Sequence, residues 1–333
     1  MHQKGQANQA LGRCSRYSYA FMAGLGVLVV WVHLATPLLA ALFAYLALSR
    51  LDTGKRGGKV LAVIIFFIGL AGIAYGLGYF SNQTVRALPE IADQAIPAII
   101  AWAKQYGIEL PFTDYDSLKD LALDMVKSEV RFLGSFAKFA RGASTQVLFL
   151  VAGCVVAASI FLQPRFDLRA EAADARDNLY AECCREIAVR FGRLYESFVT
   201  IMGAQIIISA INTLLTAIFV LALHFPYAVV VIGITFLCGL LPVVGNLLSN
   251  TIVVAIGFTV SPRTALVALI FLIVIHKLEY FLNSKIVGWR IHNPLWLTLL
   301  ALIIGERLLG LPGMILAPVV LNYLRLETSR IPI

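Results

Sequence analysis

Four long runs without any charged residue constrain this sequence more than any other feature. They extend over Tyr17–Ser49, Val60–Val85, Gly142–Pro164 and Ser197–Pro262. A bilayer crossing needs about 20 predominantly apolar residues, so each run can hold one, and the last run, with 66 residues, can hold two or three. Only 14% of the 333 residues are charged, against roughly 25% in soluble domains. The sequence therefore predicts a helical protein that spans a membrane several times.

The polar residues exclude several classes of protein. The formal charge of +8 comes from basic residues at membrane edges, which set orientation, so we expect no nucleic-acid partner. The five cysteines lack the spacing of a metal site or a disulfide framework, and we expect inert thiols. The histidines are His2, His33, His224, His276 and His292. Only His276 shares a helical face with a carboxylate, that of Glu279, and no third ligand accompanies them. The sequence also lacks the G-x-x-x-x-G-K-S/T loop that binds the phosphates of ATP. We therefore expect no enzymatic activity, bound metal or cofactor.

The first charge-free run has 33 residues. It is far longer than the core of about 7–15 residues in a signal peptide, so we expect it to be retained. Pro37 interrupts its helical hydrogen bonding. We therefore predict a hairpin of helices over 18–36 and 37–49, with one long kinked helix as the alternative. Basic residues crowd the N-terminal tail and the loop 50–59, which places both in the cytoplasm and favours the hairpin.

The alternation of apolar and polar segments predicts five parts with about eight membrane segments. The parts are 1–80 with three crossings, 81–143 as a helical extramembrane region on the outer surface, 144–163 as the fourth crossing, 164–196 as a cytoplasmic amphipathic helix, and 197–333 as a transport core with broken helices. The amphipathic helix is expected to run into the fifth crossing. Its apolar face contains Leu168, Ala172, Ala175, Leu179, Cys183, Ile187, Phe191, Leu194 and Phe198.

Uncharged polar residues indicate a candidate solute path in the last part. Gln205 and Asn212 lie seven residues apart, and therefore on one helical face. Amides inside a membrane usually hydrogen-bond to neighbouring helices, a role we favour over direct solute contact. Pro242 and Gly245 interrupt the next apolar segment. Because transporters place solute sites at broken helices, we expect Pro242, Gly245 and Asn246 to line a solute path.

Glu279 is a candidate for ion coupling. It comes near the end of a crossing that is uncharged from Thr264 to His276. An ionisable group there is costly unless it is paired or faces a cavity. Glu279 is therefore expected either to pair with Lys277 or Lys285 at the interface or to carry a coupling ion.

Glu306 and Arg307 separate two short apolar pieces, 295–304 and 314–324. Ten helical residues span only about 15 Å, which is half of the hydrocarbon core. We therefore favour a re-entrant hairpin or a broken helix over one tilted helix kinked at Pro312. A hairpin would put Glu306 and Arg307 near mid-membrane, where they would have to pair or meet water.

Short motifs within about 235–320 carry a resemblance to a known family. They are Pro242 with Gly245, Leu278-Glu279, Lys285-Ile-Val-Gly288, Pro294, Gly305, and Gly310-x-x-Gly313-Met-Ile-Leu-Ala. In these motifs the chain resembles the AI-2E transporter family, also called autoinducer-2 exporters or PerM-like permeases. It departs at Ser284, where the family usually has a proline, and at Glu306-Arg307, where small or apolar residues usually follow Gly305.

The resemblance implies a homo-oligomeric bacterial inner-membrane protein, with a pentamer among the implied assemblies, that exports a small polar solute or signal. It also implies that Gly305, Gly310 and Gly313 belong to the substrate pathway. A sodium/proton antiporter, with Glu279 and Glu306 as the titrating groups, is the alternative. A membrane scaffold that transports nothing is a third hypothesis.

Overall fold

Regular structure is entirely helical in the computed structural model, which describes residues 2–55, 57–107, 143–163, 179–241, 244–282 and 294–329. The helices in these ranges are α1 (His2–Trp31), α2 (Ala35–Leu51), α3 (Gly58–Gln105), α4 (Ala143–Leu162), α5 (Leu179–Ala222), α6 (Ala228–Gly239), α7 (Val244–Val260), α8 (Pro262–Leu282), α9 (Leu295–Leu309) and α10 (Leu311–Thr328). The all-α prediction is confirmed for this part of the chain. Pro242, Lys285 and the segments 108–142 and 164–178 of the two predicted extramembrane parts lie outside the described residues.

Two helical stretches in the described ranges are long and apolar enough to cross a bilayer, Gly58–Thr84 and Glu182–Ala222. A third candidate is the pair Cys14–Trp31 and Ala35–Leu51, which is bent by 116° at its break. Shorter apolar helices are Gln146–Leu162, Ala228–Gly239 and Ser249–Val260. These stretches support a membrane protein, and the total of about eight segments stays a prediction.

The break between α1 and α2 lies one turn before Pro37, earlier than the predicted boundary between 36 and 37. His33 is left-handed, with φ 56°, and the Leu34 N–H donates to the Val29 carbonyl over 2.9 Å, as in a Schellman C-cap. A proline ring clashes with the carbonyl four residues earlier, which here belongs to His33. The helix therefore ends at this point, and Pro37 lies in the first turn of α2, where its missing N–H leaves no hydrogen bond unmade.

Two compact units divide the chain, and each gathers segments that are far apart in sequence. Unit 1 contains Met1–Gly69, Gln146–Ile201 and Ile291–Ile333, and unit 2 contains Leu70–Thr145 and Met202–Arg290. The boundaries fall inside α3 and α5, so these two long helices contribute residues to both units.

Small and aromatic residues pack the helices of unit 1. Gly153 of α4 lies against α2, where an added Cβ would be 2.7 Å from the Ala40 side chain. Phe43 of α2 and Phe198 of α5 meet edge to face, with ring centroids 4.9 Å apart. Such aromatic pairs contribute about 0.5–1.5 kcal/mol beyond their buried area. α2 thus packs against both α4 and α5.

Unit 2 has a continuous apolar core formed mainly by α5 to α8. The core includes Val220, Val231, Val253, Ile256, Ala268 and Leu272. α7 and α8 approach closely next to their connection, because a Cβ on Gly257 would be 2.8 Å from the Ala265 Cα. Phe219 of α5 stacks on Phe271 of α8 with a centroid distance of 4.0 Å. These contacts hold the α7–α8 pair against the end of α5.

α9 and α10 form a hairpin that turns at Gly310, where φ is 66° and ψ is −147°. A Cβ on Gly305 would be 2.5 Å from the Gly313 carbonyl oxygen. In a continuous helix, residues eight apart are separated by about 12 Å. One helix kinked at Pro312 is thereby excluded, and the hairpin favoured from the sequence is the arrangement found. Pro312 lies in the first turn of α10, where proline is tolerated.

Candidate functional site

Side chains of α5 hydrogen-bond to the end of α6 at the break before α7. The Gln205 Nε2 donates to the Gly239 carbonyl over 2.6 Å, and the Ser209 Oγ donates to the Phe236 carbonyl over 2.8 Å. The last four carbonyls of a helix lack intrahelical partners, and leaving them unsatisfied is costly at membrane depth. Gln205 therefore has the hydrogen-bonding role between helices that its position predicts.

Gly245, in the first turn of α7, has no room for a side chain. An added Cβ would overlap the Cys238 carbonyl oxygen of α6, and a Cβ on Gly239 would be 2.5 Å from the Ser209 Oγ. Asn246 follows Gly245 in α7. The described residues of the predicted path thus lie at a closely packed helix break. A side chain at position 245 would therefore displace α6 or α7.

Buried, uncharged polar side chains continue along α5 from this break. Ser209, Asn212 and Thr216 are 1%, 6% and 1% exposed. Together with Gln205 they recur at intervals of four, three and four residues, which places them on one helical face. We call these four residues the polar stripe. On α6, Thr235 is also buried, at 3% exposed. The sequence analysis found Gln205 and Asn212 but missed Ser209 and Thr216, which the same spacing could have identified.

A cleft of about 520 Å³ lies beside α3, α7 and α8 in unit 2. Its lining consists of Ile99, Asn250, Thr251, Val254, Ala255, Phe258, Leu269, Leu272, Ile273, His276 and Lys277. Glu279, two residues beyond Lys277 on α8, is partly buried. Within the described ranges, no group of three His, Cys, Asp or Glu side chains could hold a metal ion. The ionisable residues at the end of α8 thus lie at and just beyond one end of a mainly apolar cleft.

Glu306 and Arg307 lie near the end of α9, beside the turn at Gly310. The Arg307 Nε is 4.0 Å from the Glu306 Oε2, and the two side chains are 80% and 43% exposed, respectively. An exposed ion pair contributes at most about 1 kcal/mol. Both side chains are therefore exposed in the single chain.

A buried ion pair in unit 1 was missed by the sequence analysis. The Arg190 Nη1 of α5 donates to the Glu327 Oε2 of α10 over 2.8 Å, and the two side chains are 3% and 4% exposed. The Arg193 Nη1 also donates to the Glu327 Oε2 over 2.8 Å. The same oxygen accepts a hydrogen bond of 3.2 Å from the Tyr19 hydroxyl of α1. One carboxylate therefore joins three helices.

The remaining donors of Arg190 also reach α1 and its own helix. Its Nε donates to the Ser18 Oγ over 2.6 Å, and its Nη2 donates to the Ser15 Oγ over 3.1 Å and to the Glu186 Oε2 over 3.0 Å. The guanidinium carbon lies 3.7 Å from the centroid of the Tyr19 ring. A buried charge must be paired and hydrogen-bonded to be tolerated, and Arg190 meets both conditions.

Arg190 is a buried charge beside the predicted apolar face of the amphipathic helix. Phe191, predicted on that face, is 39% exposed, whereas Arg190 is 3% exposed. Arg190 follows Ile187 by three residues, so it lies beside the same helical face. An arginine next to an apolar face was the sequence signal for this network, which we call the Arg190 network. It consists of Ser15, Ser18, Tyr19, Glu186, Arg190, Arg193 and Glu327.

Comparison with known proteins identifies the family. The sequence model of the AI-2E family transporter matches residues 19–325. The chain belongs to the AI-2E transporter family. It is also similar to a Bacillus subtilis (strain 168) protein named "Putative transport protein YdbI", with 30% identity over 133 residues. That alignment spans 39% of this chain and 38% of the length of the relative.

The region that matches the AI-2E family contains all of one polar feature of the molecule and only part of the other. It includes the α6–α7 break and the whole polar stripe, since both lie within 19–325. Ser15, Ser18 and Glu327 lie outside the matched region, although Arg190 lies within it. The break thus belongs to the part of the chain that matches the AI-2E family, whereas the Arg190 network joins matched to unmatched residues.

Proposed function

We propose that this AI-2E family transporter is a secondary transporter that exports a small polar solute or signal molecule across the bacterial inner membrane. The observation that carries the proposal is the polar stripe, which runs along α5 to the α6–α7 break. Its amide and hydroxyl groups can donate and accept hydrogen bonds, and none of them is charged. Such groups suit an uncharged solute with several hydroxyl or carbonyl groups, which is the class of solute that we propose.

The described conformation of the break is a closed one in this proposal. Gln205 and Ser209 satisfy the terminal carbonyls of α6, and Gly245 packs on the Cys238 carbonyl. Opening would separate these groups and leave the carbonyls of α6 and the Gln205 amide free to bind solute. The path would then pass Asn212 and the Pro242–Asn246 segment.

The α9–α10 hairpin is a further candidate for the substrate pathway, and its two backbones are in contact. Gly305 and Gly313 make that contact and Gly310 makes the turn. We further propose a homo-oligomer, with a pentamer among the candidates, and a cytoplasmic N-terminus. The exposed pair of Glu306 and Arg307 supports a neighbouring subunit or water at this end of the hairpin.

Two matched substitutions on α5 test the polar stripe. Thr216→Val removes a hydroxyl that is 1% exposed with little change of shape. Thr200→Val removes an exposed hydroxyl that donates to the Glu196 carbonyl of its own helix over 2.8 Å. Flux of uncharged polyhydroxylated solutes into proteoliposomes, compared with that of charged solutes of the same size, should fall for Thr216→Val only. Equal flux in both variants and the unmodified protein would remove the stripe from the path.

Sodium/proton antiport is the second candidate, and the position of Glu279 favours it. This partly buried carboxylate lies two residues beyond Lys277, which lines the cleft. If Glu279 carries the coupling ion, Glu279→Gln should abolish the dependence of flux on an imposed proton or sodium gradient. A pH profile identical to that of the unmodified protein would exclude this role, and absence of flux for every solute tested would favour the scaffold.

A further inference from the structure

Two cysteines that the sequence separates widely lie together in unit 1. Cys14 of α1 is fully buried, and Cys183 of α5 is partly exposed. Their thiol groups are hydrogen-bonded to each other. The members of this pair are 169 residues apart, and their spacing in the sequence did not predict the contact.

The Arg190 network holds the two helices together beside this pair. Arg190 lies seven residues, or two helical turns, after Cys183, and therefore on the same side of α5. Its guanidinium donates to Ser15 and Ser18, which are one and four residues after Cys14. The hydrogen bonds fix α1 against α5 independently of the thiols, so the thiol contact follows from the packing of two helices.

We propose that Cys14 and Cys183 are an oxidisable pair that closes to a disulfide when a peroxide reaches the exposed thiol. A disulfide needs Cα atoms within about 7 Å and side chains that point towards each other. Thiols that interact with each other across two helices satisfy the second condition, and the oxidation experiment below tests the first. Closure would tie α1 covalently to α5 beside the Arg190 network.

The chemistry proceeds in two balanced steps. The Cys183 thiolate attacks one oxygen of the peroxide, the O–O bond breaks, and Cys183 becomes a sulfenic acid while hydroxide or alkoxide leaves. The Cys14 thiol then attacks the Cys183 sulfur, forming the S–S bond and releasing water. The two thiols lose two electrons in total, and the peroxide accepts both. A dithiol reductant reverses the bond by thiol–disulfide exchange.

Cys184 provides a matched control on the same helix. It is also partly exposed, but its thiol hydrogen-bonds to Tyr180 and raises the pKa of that phenol, so it faces a different neighbour. Adjacent residues of a helix point about 100° apart. Cys184 therefore shares the exposure of Cys183 without its proximity to Cys14.

The test treats the purified full-length protein with hydrogen peroxide, denatures it, and counts the thiols that react with maleimide. The unmodified protein should fall from five reactive thiols to three, and peptide mass spectrometry should find Cys14 joined to Cys183. Cys184→Ser should lose two thiols in the same way, whereas Cys14→Ser and Cys183→Ser should form no disulfide within the chain. Dithiothreitol should restore every lost thiol.

Several results would overturn the proposal. These are an unchanged thiol count, a bridge that persists in Cys183→Ser, and a bridge between two chains in place of one within the chain. Because a serine variant could fold poorly, each variant is first compared with the unmodified protein by size-exclusion chromatography. Protein denatured before oxidation provides the second control. It should give mixed pairings, and a Cys14–Cys183 bridge of equal yield there would show that the fold does not direct the reaction.

Discussion

The buried pair of Arg190 and Glu327 predicts a large loss of stability when one charge is removed. Glu327→Gln keeps the shape of the side chain, but Arg190, at 3% exposed, then retains only Glu186 among its two carboxylate partners. Breaking a buried ion pair in this way costs about 3–5 kcal/mol. The glutamine oxygen can still accept a hydrogen bond, and Ser15 and Ser18 keep theirs. We therefore expect the lower end, about 3 kcal/mol.

Glu182→Gln is the matched control on the surface of α5. Glu182 pairs with Arg185 at 2.7 Å, but the side chains are 29% and 54% exposed, respectively. Exposed pairs are worth roughly 0–1 kcal/mol, so the same substitution should cost little here. The two pairs have similar distances and differ in burial, and burial is the quantity under test.

Thermal unfolding of the purified protein in detergent, followed by tryptophan fluorescence, measures the difference. At roughly 2.1 cal/mol/K of unfolding entropy per residue, a loss of about 3 kcal/mol corresponds to an apparent melting shift on the order of 4 °C. The double variant Arg190→Met with Glu327→Gln should recover part of that loss, because no buried arginine then lacks its partner. Equal shifts for Glu327→Gln and Glu182→Gln, or strictly additive losses in the double variant, would refute this reasoning.

Three further predictions follow from the glycines and the polar segments. Gly245→Ala should destabilise the protein by about 1–3 kcal/mol through overpacking. Its control, Gly203→Ala, places a Cβ that meets no atom within 4 Å and should be neutral or stabilising. Equal melting temperatures for the two variants would contradict this prediction. Gly313→Ala should likewise lower the melting temperature by separating α9 from α10, and Gly72→Ala, also in open space, is its control. The predicted topology has residues 81–143 outside and residues 50–59 in the cytoplasm. In a chain without native cysteines, Asp120→Cys should therefore react with an impermeant maleimide in intact cells, and Lys55→Cys should react only after permeabilisation. The reverse pattern would overturn this topology.

The helices and their breaks could be predicted because they depend on local sequence. Charge-free runs indicate helices in a membrane whatever their partners are. Pro37 and the glycines around Gly310 interrupt hydrogen bonding within a few residues of where they stand. The predicted position of the first helix break was wrong by about one turn, because Pro37 clashes with the carbonyl of His33, four residues before it. The hairpin of α9 and α10 could be predicted from segment length.

Contacts between distant segments could not be predicted in the same way. Arg190 and Glu327 are 137 residues apart, and nothing in the sequence around Glu327 indicates a partner on α5. The hydrogen bonds from Gln205 to Gly239 and from Ser209 to Phe236 likewise join residues 34 and 27 positions apart. The spacing on α5 identifies the face that makes these bonds, but the acceptors are backbone carbonyls, which carry no sequence signal.

The position of a charge on a helical face decides whether it is buried in a network. Glu306 and Arg307 separate two apolar pieces, and the expectation that they pair or meet water inside a membrane stays a prediction, since both side chains are exposed in the single chain. Arg190 lies in a segment rich in charge, where one more arginine is not conspicuous, yet it is 3% exposed. What distinguishes it is its position beside the face of Ile187, where packing removes water and a charge must find a partner. A charge on the packed face of a helix therefore predicts a buried network even in a segment that is rich in charge.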